Sequence, residues 1–131
     1  MKRLLIILSV LLMVSACTDS PNAVQDEQIE QTAYETIAID EIVDYVADGY
    51  IVVDVREIDE YETGHIPDAI NAPLSALENG DYSPLNKNEQ YIIICRSGNR
   101  SQTASNMLTS EGFDVVNVSE GMSSWAGDVE Y

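Results

Sequence analysis

The sequence predicts an α/β domain, a small and mostly parallel sheet of about four to five strands flanked by helices. Three observations carry this reading. Strand-like and helix-like stretches alternate from residue 36 onwards. Two runs, residues 51–55 and 91–94, are nearly continuous in β-branched or aromatic apolar side chains, the pattern of strands buried on both faces. The chain of 131 residues has room for one domain with a modest core, not for two.

The elements follow in chain order. Residues 36–39 form the first candidate strand. Asp40 is placed to cap a helix over residues 41–47, where Ile42, Val43, Tyr45 and Val46 make an apolar side and Gly49 follows the end. Residues 51–55 give the second strand. Residues 57–62 read as a short helical turn stopped by Gly64, and residues 69–71 as a brief strand before Pro73. Residues 75–86 are loop-like, with Gly80, Pro84 and one helical turn near Leu77. Residues 91–94 make the central strand. From Ser101 a helix carries Ala104, Met107 and Leu108 at helical spacing and stops at Gly112. Residues 115–118 are the last strand and residues 122–126 a terminal helix. No internal repeat is visible.

The N-terminal part reads differently. Lys2 and Arg3 precede an apolar run from Leu4 to Val14, then Ser15-Ala16-Cys17. Eleven apolar-rich residues are too short to span a bilayer and match the apolar region of an export signal. Val14-Ser15-Ala16-Cys17 resembles a bacterial lipoprotein box, in which cleavage precedes a cysteine that carries lipid. The alternative is an ordinary signal peptide whose cysteine is incidental. The expected organisation is a signal over residues 1–16, a flexible acidic tether over 17–34 and a folded domain over 35–131. The expected location is the bacterial cell envelope, anchored by lipid at Cys17 and facing the periplasm if the cell is Gram-negative.

The formal charge is −17, from 23 acids against six bases. Two of those bases, Lys2 and Arg3, lie in the segment expected to be removed. Nothing basic is clustered outside one loop, so nucleic-acid binding is not expected.

That loop is where the chemistry gathers. Residues 91–101 read YIIICRSGNRS, an apolar strand that ends on Cys95 and runs through a polar turn into a helix. Turn N–H groups, a helix N-terminus and the charges of Arg96 and Arg100 all favour a thiolate over a thiol. In a parallel sheet, ligands lie at the carboxyl ends of strands, which is where Cys95 falls. A lone cysteine after an isoleucine run is otherwise an inert core residue. The polar collar is what separates the two readings.

Cys95-Arg96-Ser97-Gly98-Asn99-Arg100-Ser101 resembles the active-site loop of single-domain rhodaneses, the sulfurtransferases. Asp54-Val55-Arg56-Glu57 and the stretch from Tyr61 to Pro73 (YETGHIPDAINAP) agree with the same family, and Glu120-Gly121-Met122-Ser123-Ser124-Trp125 is similar to its closing segment. Asp68 stands where that family usually has glycine, a departure that bears on the local turn and not on the chemistry. The resemblance implies a rhodanese-like fold and a sulfurtransferase. Cys95 would be the catalytic nucleophile and Arg96, Ser97, Gly98, Asn99, Arg100 and Ser101 the substrate-binding loop.

The chemistry to expect is attack of the Cys95 thiolate on the outer sulfur of a donor such as thiosulfate, giving a persulfide that a thiol or cyanide then discharges. A protein acceptor is a further partner to expect. His65 is the sole histidine and lies in a stretch that is structural in the resembled family, so no imidazole base is expected. Asp54 and Arg56 end a strand beside the site, and a salt-bridged brace for the loop is the reading preferred over substrate binding. Trp125 reads as core or rim packing. With Cys17 for lipid and Cys95 for chemistry, no disulfide, metal cluster or cofactor is called for.

Two other classes stay open. A persulfide relay or binding module would act only with a protein partner. A cysteine-dependent phosphatase or arsenate reductase would have a loop resembling Cys-x5-Arg, whereas only four residues separate Cys95 from Arg100.

The N-terminal reading makes the first prediction. Cys17→Ser should prevent lipidation and release or strand the protein, because two or three acyl chains hold firmly where one is marginal. Detergent-phase partitioning with mass analysis checks this. Native protein found in the aqueous phase with Cys17 unmodified would overturn the anchor.

Overall fold

The computed structural model describes residues 33–131. The proposed signal over 1–16, Cys17 and nearly all of the proposed tether lie outside the described residues. Tyr34, assigned above to the end of that tether, is half-buried against the core. Among the described residues, no helix is long and apolar enough to cross a membrane.

Five strands form one sheet: β1 (Glu35–Ile37), β2 (Ile51–Asp54), β3 (Ile70–Asn71), β4 (Gln90–Ile94) and β5 (Asp114–Val118). Their order is β1-β5-β4-β2-β3, and every pairing is parallel. The expected α/β class and strand count therefore hold. β4 lies at the centre, between β5 and β2, which is why its sequence is apolar on both faces.

Alternation along the strands divides the core into two layers. Val53, Val55, Tyr91, Ile93, Cys95 and Val115 face one side, packed with Ala72, Leu77, Ala104 and Leu108. Ile37, Val52, Ile92, Ile94, Val116 and Val118 face the other, packed with Ile42, Ile66 and Ala69. Cys95 continues the odd-numbered set of β4, so its side chain emerges in the layer that holds α3 (Leu74–Glu78) and α4 (Asn99–Ser110).

Helix boundaries depart from expectation at three places. Asp40 caps nothing, because it lies inside a 3-10 turn, Ile39–Glu41, that leads into α1 (Ile42–Ala47). The Glu41 carboxylate instead accepts the Ala38 N–H at 2.7 Å. The helical turn expected near Leu77 is α3, which starts directly after Pro73 and buries Leu77 completely. Five residues are too few to display a helical period in sequence. α4 begins at Asn99, two residues earlier than expected, because Gly98 at φ 93° turns the chain into the helix. The terminal helix is only a 3-10 turn, Met122–Ser124. The turn at α2 (Ile58–Tyr61) falls within its expected range. Asp68 keeps the left-handed conformation of a glycine, at φ 62°, which aspartate tolerates better than most residues.

Leu108 of α4 is fully buried against the layer that contains Cys95. Leu108→Ala should destabilise the domain by about 2–5 kcal/mol, the range for leucine truncation in a packed core. Urea unfolding checks this, and a loss under about 1 kcal/mol would mean that the α4 layer is not the tight packing described.

Candidate active site

The sulfur of Cys95 sits at the carboxyl end of the central strand with only 1% of the residue exposed. Gly98 donates its N–H to Sγ at 3.1 Å. The N–H groups of Ser97 and Ser101 and the Ser101 hydroxyl also address the sulfur. Burial pushes the thiol pKa up. The Ser101 hydroxyl, followed by the N–H groups of Ser101, Ser97 and Gly98, outweighs burial and leaves it below the ordinary value. Ser101 has one hydroxyl proton and competing acceptors in the carbonyls of Gly98 (3.1 Å) and Val118 (3.4 Å), so a charged sulfur must draw that proton from them.

Backbone contacts hold this shape. The Cys95 carbonyl accepts the Met122 N–H at 2.8 Å, and the Arg96 carbonyl accepts the Ser123 N–H at 3.1 Å and hydroxyl at 2.8 Å. Gly121 packs so closely that a Cβ there would overlap the Arg96 carbonyl group, and a Cβ on Gly98 would overlap the Ser119 carbonyl oxygen. The closing segment thus clamps the loop from behind by main-chain contact. Its resemblance was legible in sequence, but its bonds to the loop were not.

The loop residues divide by orientation. Gly98 donates to the sulfur, and Ser97 and Ser101 join it in lowering the thiol pKa. Arg96 and Asn99 are exposed, and Arg96 lines a cavity of about 600 Å³ with Arg56, Asp59, Glu60, Ser123 and others, but not Cys95. Arg100 turns to Glu60 in a bidentate pair, with Nη1 to Oε2 at 2.6 Å and Nη2 to Oε1 at 2.8 Å. This pair holds the Glu60 carboxyl down to about 2. Arg100 is raised first by its bonds to Glu60 and more weakly by attraction to the Cys95 thiolate, with burial opposing both. The donors therefore lead the arginines in favouring the thiolate. Nothing in the sequence pointed to Glu60, since an acidic chain offers each arginine many partners.

Asp54 and Arg56 form a buried pair at 2.6 Å, with the guanidinium Nε also 3.0 Å from both carboxylate oxygens. Arg56 Nη2 donates to the Gly64 carbonyl at 2.8 Å. This brace fixes the segment after β2, which carries Glu60, rather than the Cys95 loop directly. His65 stacks on Tyr61 at 3.7 Å. Its Nδ1 lies 3.1 Å from the Tyr61 carbonyl and its Nε2 3.9 Å from Glu130, so both ring nitrogens have partners other than Cys95. Trp125 is half-buried against the opposite layer and donates to the Asp128 carbonyl at 2.9 Å.

A parallel α/β domain presenting a cysteine within a turn of converging donors defines a class of thiol-bearing anion sites. The profile described as a rhodanese-like domain matches residues 38–128, and the chain belongs to that family. It is 44% identical over 80 residues to YrkF of Bacillus subtilis, named as a sulfur carrier protein, with 60% of this chain and 43% of that protein covered. It is 37% identical over 79 residues to YtwF of the same organism, named as a sulfurtransferase, with 60% and 76% covered. The match thus spans less than half of YrkF but most of YtwF. The crystal structure of a rhodanese-related protein from Thermoplasma volcanium superposes with a TM-score of 0.68 at 33% identity, covering 74% of this chain and 98% of that one.

The donor geometry predicts how the thiol titrates. Cys95 should react with iodoacetamide with a midpoint below the ~8.5 of a free cysteine. Ser101→Ala should raise that midpoint, whereas His65→Ala should lower stability and leave it in place. Alkylation rate against pH decides. A rise of about one unit in His65→Ala, or about 1.4 kcal/mol, would mean that imidazole holds the thiolate.

Proposed function

We propose that this domain transfers sulfane sulfur through a persulfide on Cys95. The single observation that carries the proposal is a buried sulfur at the end of β4, ringed by the turn into α4 and accepting the Gly98 N–H at 3.1 Å. Such a ring stabilises negative charge on Sγ and, after transfer, on a second sulfur attached to it.

The Cys95 thiolate attacks the outer sulfur of a donor such as thiosulfate. A bond forms between Sγ and that sulfur, the bond from it to the sulfonate sulfur breaks, and sulfite leaves with the electron pair. A thiolate or cyanide then attacks the terminal sulfur, and Cys95 departs as a thiolate. One difficult displacement becomes two, with ping-pong kinetics. Arg96, Ser97, Gly98, Asn99, Arg100 and Ser101 form the substrate loop, with Asp54 and Arg56 as supporting residues. The chain's net negative charge repels a dianionic donor, so added salt should favour its approach.

The proposal includes the N-terminal reading: a signal over residues 1–16, lipid on Cys17, a tether over 17–34, and sulfur transfer at the surface of a bacterial envelope membrane. A second reading, a relay that takes sulfur from a protein, is favoured by the recessed thiol and by the sulfur-carrier name of YrkF. The four-residue spacing from Cys95 to Arg100 argues against phosphatase chemistry, since a shorter ring suits one sulfur better than a tetrahedral oxyanion.

The test is intact mass of the mature protein after incubation with thiosulfate. One added sulfur atom on Cys95, lost on adding cyanide, is the expected result, and Cys95→Ser should abolish it because a hydroxyl cannot carry sulfane sulfur. Sulfur uptake only from a persulfidated protein would select the relay. Aryl phosphate turnover comparable to sulfur transfer would overturn both.

A further inference from the structure

The loop brings two arginines to the site, but it does not bring two free positive charges. Arg100 is held by Glu60 through two short hydrogen bonds, and Arg56 is held by Asp54. Among the described residues, Arg96 is the one guanidinium without a carboxylate partner. The side chains lining the adjoining cavity include two cations, Arg56 and Arg96, and two anions, Asp59 and Glu60. Its wall therefore carries no net charge from these groups. At about 600 Å³, with Met122, Val129 and Tyr131 also in its lining, the cavity has room and apolar surface for a donor with an organic body.

We propose that Glu60 sets the charge preference of the sulfur site, cancelling Arg100 so that monoanionic organic sulfane donors compete well against the small dianion thiosulfate. The proposal rests on the sulfur-transfer reading and deepens it to a substrate class. Glu60 acts here as a positioning and specificity residue that works through Arg100. Its bidentate grip fixes the guanidinium and removes the net charge in the same contact. A glutamine would keep one acceptor for Arg100 while uncovering the positive charge. Because Glu60 is ionised down to about pH 2, the cancellation persists at any pH used for assay.

The experiment compares kcat and KM for thiosulfate and for benzenethiosulfonate, a monoanion that releases benzenesulfinate on the same attack, with cyanide as acceptor. Glu60→Gln should raise the thiosulfate-to-benzenethiosulfonate ratio of kcat/KM by about threefold to tenfold through KM, the scale of a partly screened surface charge. Glu60→Asp should stay near the parental ratio. Arg100→Gln should move the ratio the opposite way, because it leaves Glu60 uncovered. These opposite signs keep the test alive if one variant fails to fold, as judged by thermal unfolding.

A readout without turnover runs beside it. Glu60→Gln should lower the alkylation midpoint of Cys95, whereas a merely structural Glu60 would raise it by letting Arg100 drift. An unchanged donor ratio in a folded variant, or a raised midpoint, overturns the role given to Glu60. Should the parental protein turn over neither donor, the small-molecule donor class fails in favour of the protein-fed relay, and the midpoint alone still decides whether Glu60 screens the thiolate.

Discussion

A thiolate withdrawn almost wholly from water must be solvated by the protein itself. Cys95 meets that condition with main-chain N–H groups and one serine hydroxyl rather than with a base. The main-chain dipoles cannot titrate away and are fixed once the turn is folded, whereas the Ser101 hydroxyl must turn from its carbonyl acceptors towards a charged sulfur. Everything else around the loop serves to hold those donors in place. Gly98 lets the chain enter α4 at a positive φ, and Gly121 lets a second backbone lie against the carbonyl of Arg96. With the carbonyls of Cys95 and Arg96 tied to Met122 and Ser123, the N–H groups of the turn are left to face the sulfur.

The walls of the site are built from charge pairs of different exposure. Asp54 and Arg56 are buried, and removing either partner would leave an uncompensated ion in a region with little water. The pair holds the Gly64 carbonyl, while the Glu60–Arg100 pair ties the same segment to α4. The second pair is about a third exposed on each side, so its effect on stability is small and its effect on the local field is the more telling one. Two arginines in a motif therefore do not make a cationic site. What counts is which carboxylates the fold places beside them.

Much of the fold was legible because its signals are local. The runs at residues 51–55 and 91–94 are apolar on both faces but for Asp54, the pattern of strands in a parallel sheet with covered faces. The extent of short elements was harder to read. α3 has five residues, and its burial of Leu77 depends on contacts distant in sequence. Asp40 had the right chemistry for a cap, but Glu41 reaches the Ala38 N–H while the chain is still in a 3-10 turn. At the site, the loop's position at the end of β4 was legible because strand, cysteine and turn are contiguous. Glu60, 40 positions from Arg100, and the clamp from Gly121 were not, because tertiary pairing leaves no periodicity in the chain.

The overall charge and the local chemistry then fit together. A chain this acidic repels anions at long range, and salt weakens that repulsion over about 8–10 Å. Inside the loop, the favourable terms are dipolar and act over a few ångströms, beyond the reach of screening. Approach and chemistry are thus governed by different parts of the molecule. The acidic surface disfavours highly charged anions at long range, Glu60 neutralises Arg100 in a bidentate pair, and the Gly98 N–H acts on the sulfur at hydrogen-bond distance. In this fold, one serine hydroxyl and the main-chain N–H groups lower the Cys95 pKa, and the charged side chains around the loop set the field that an arriving anion meets.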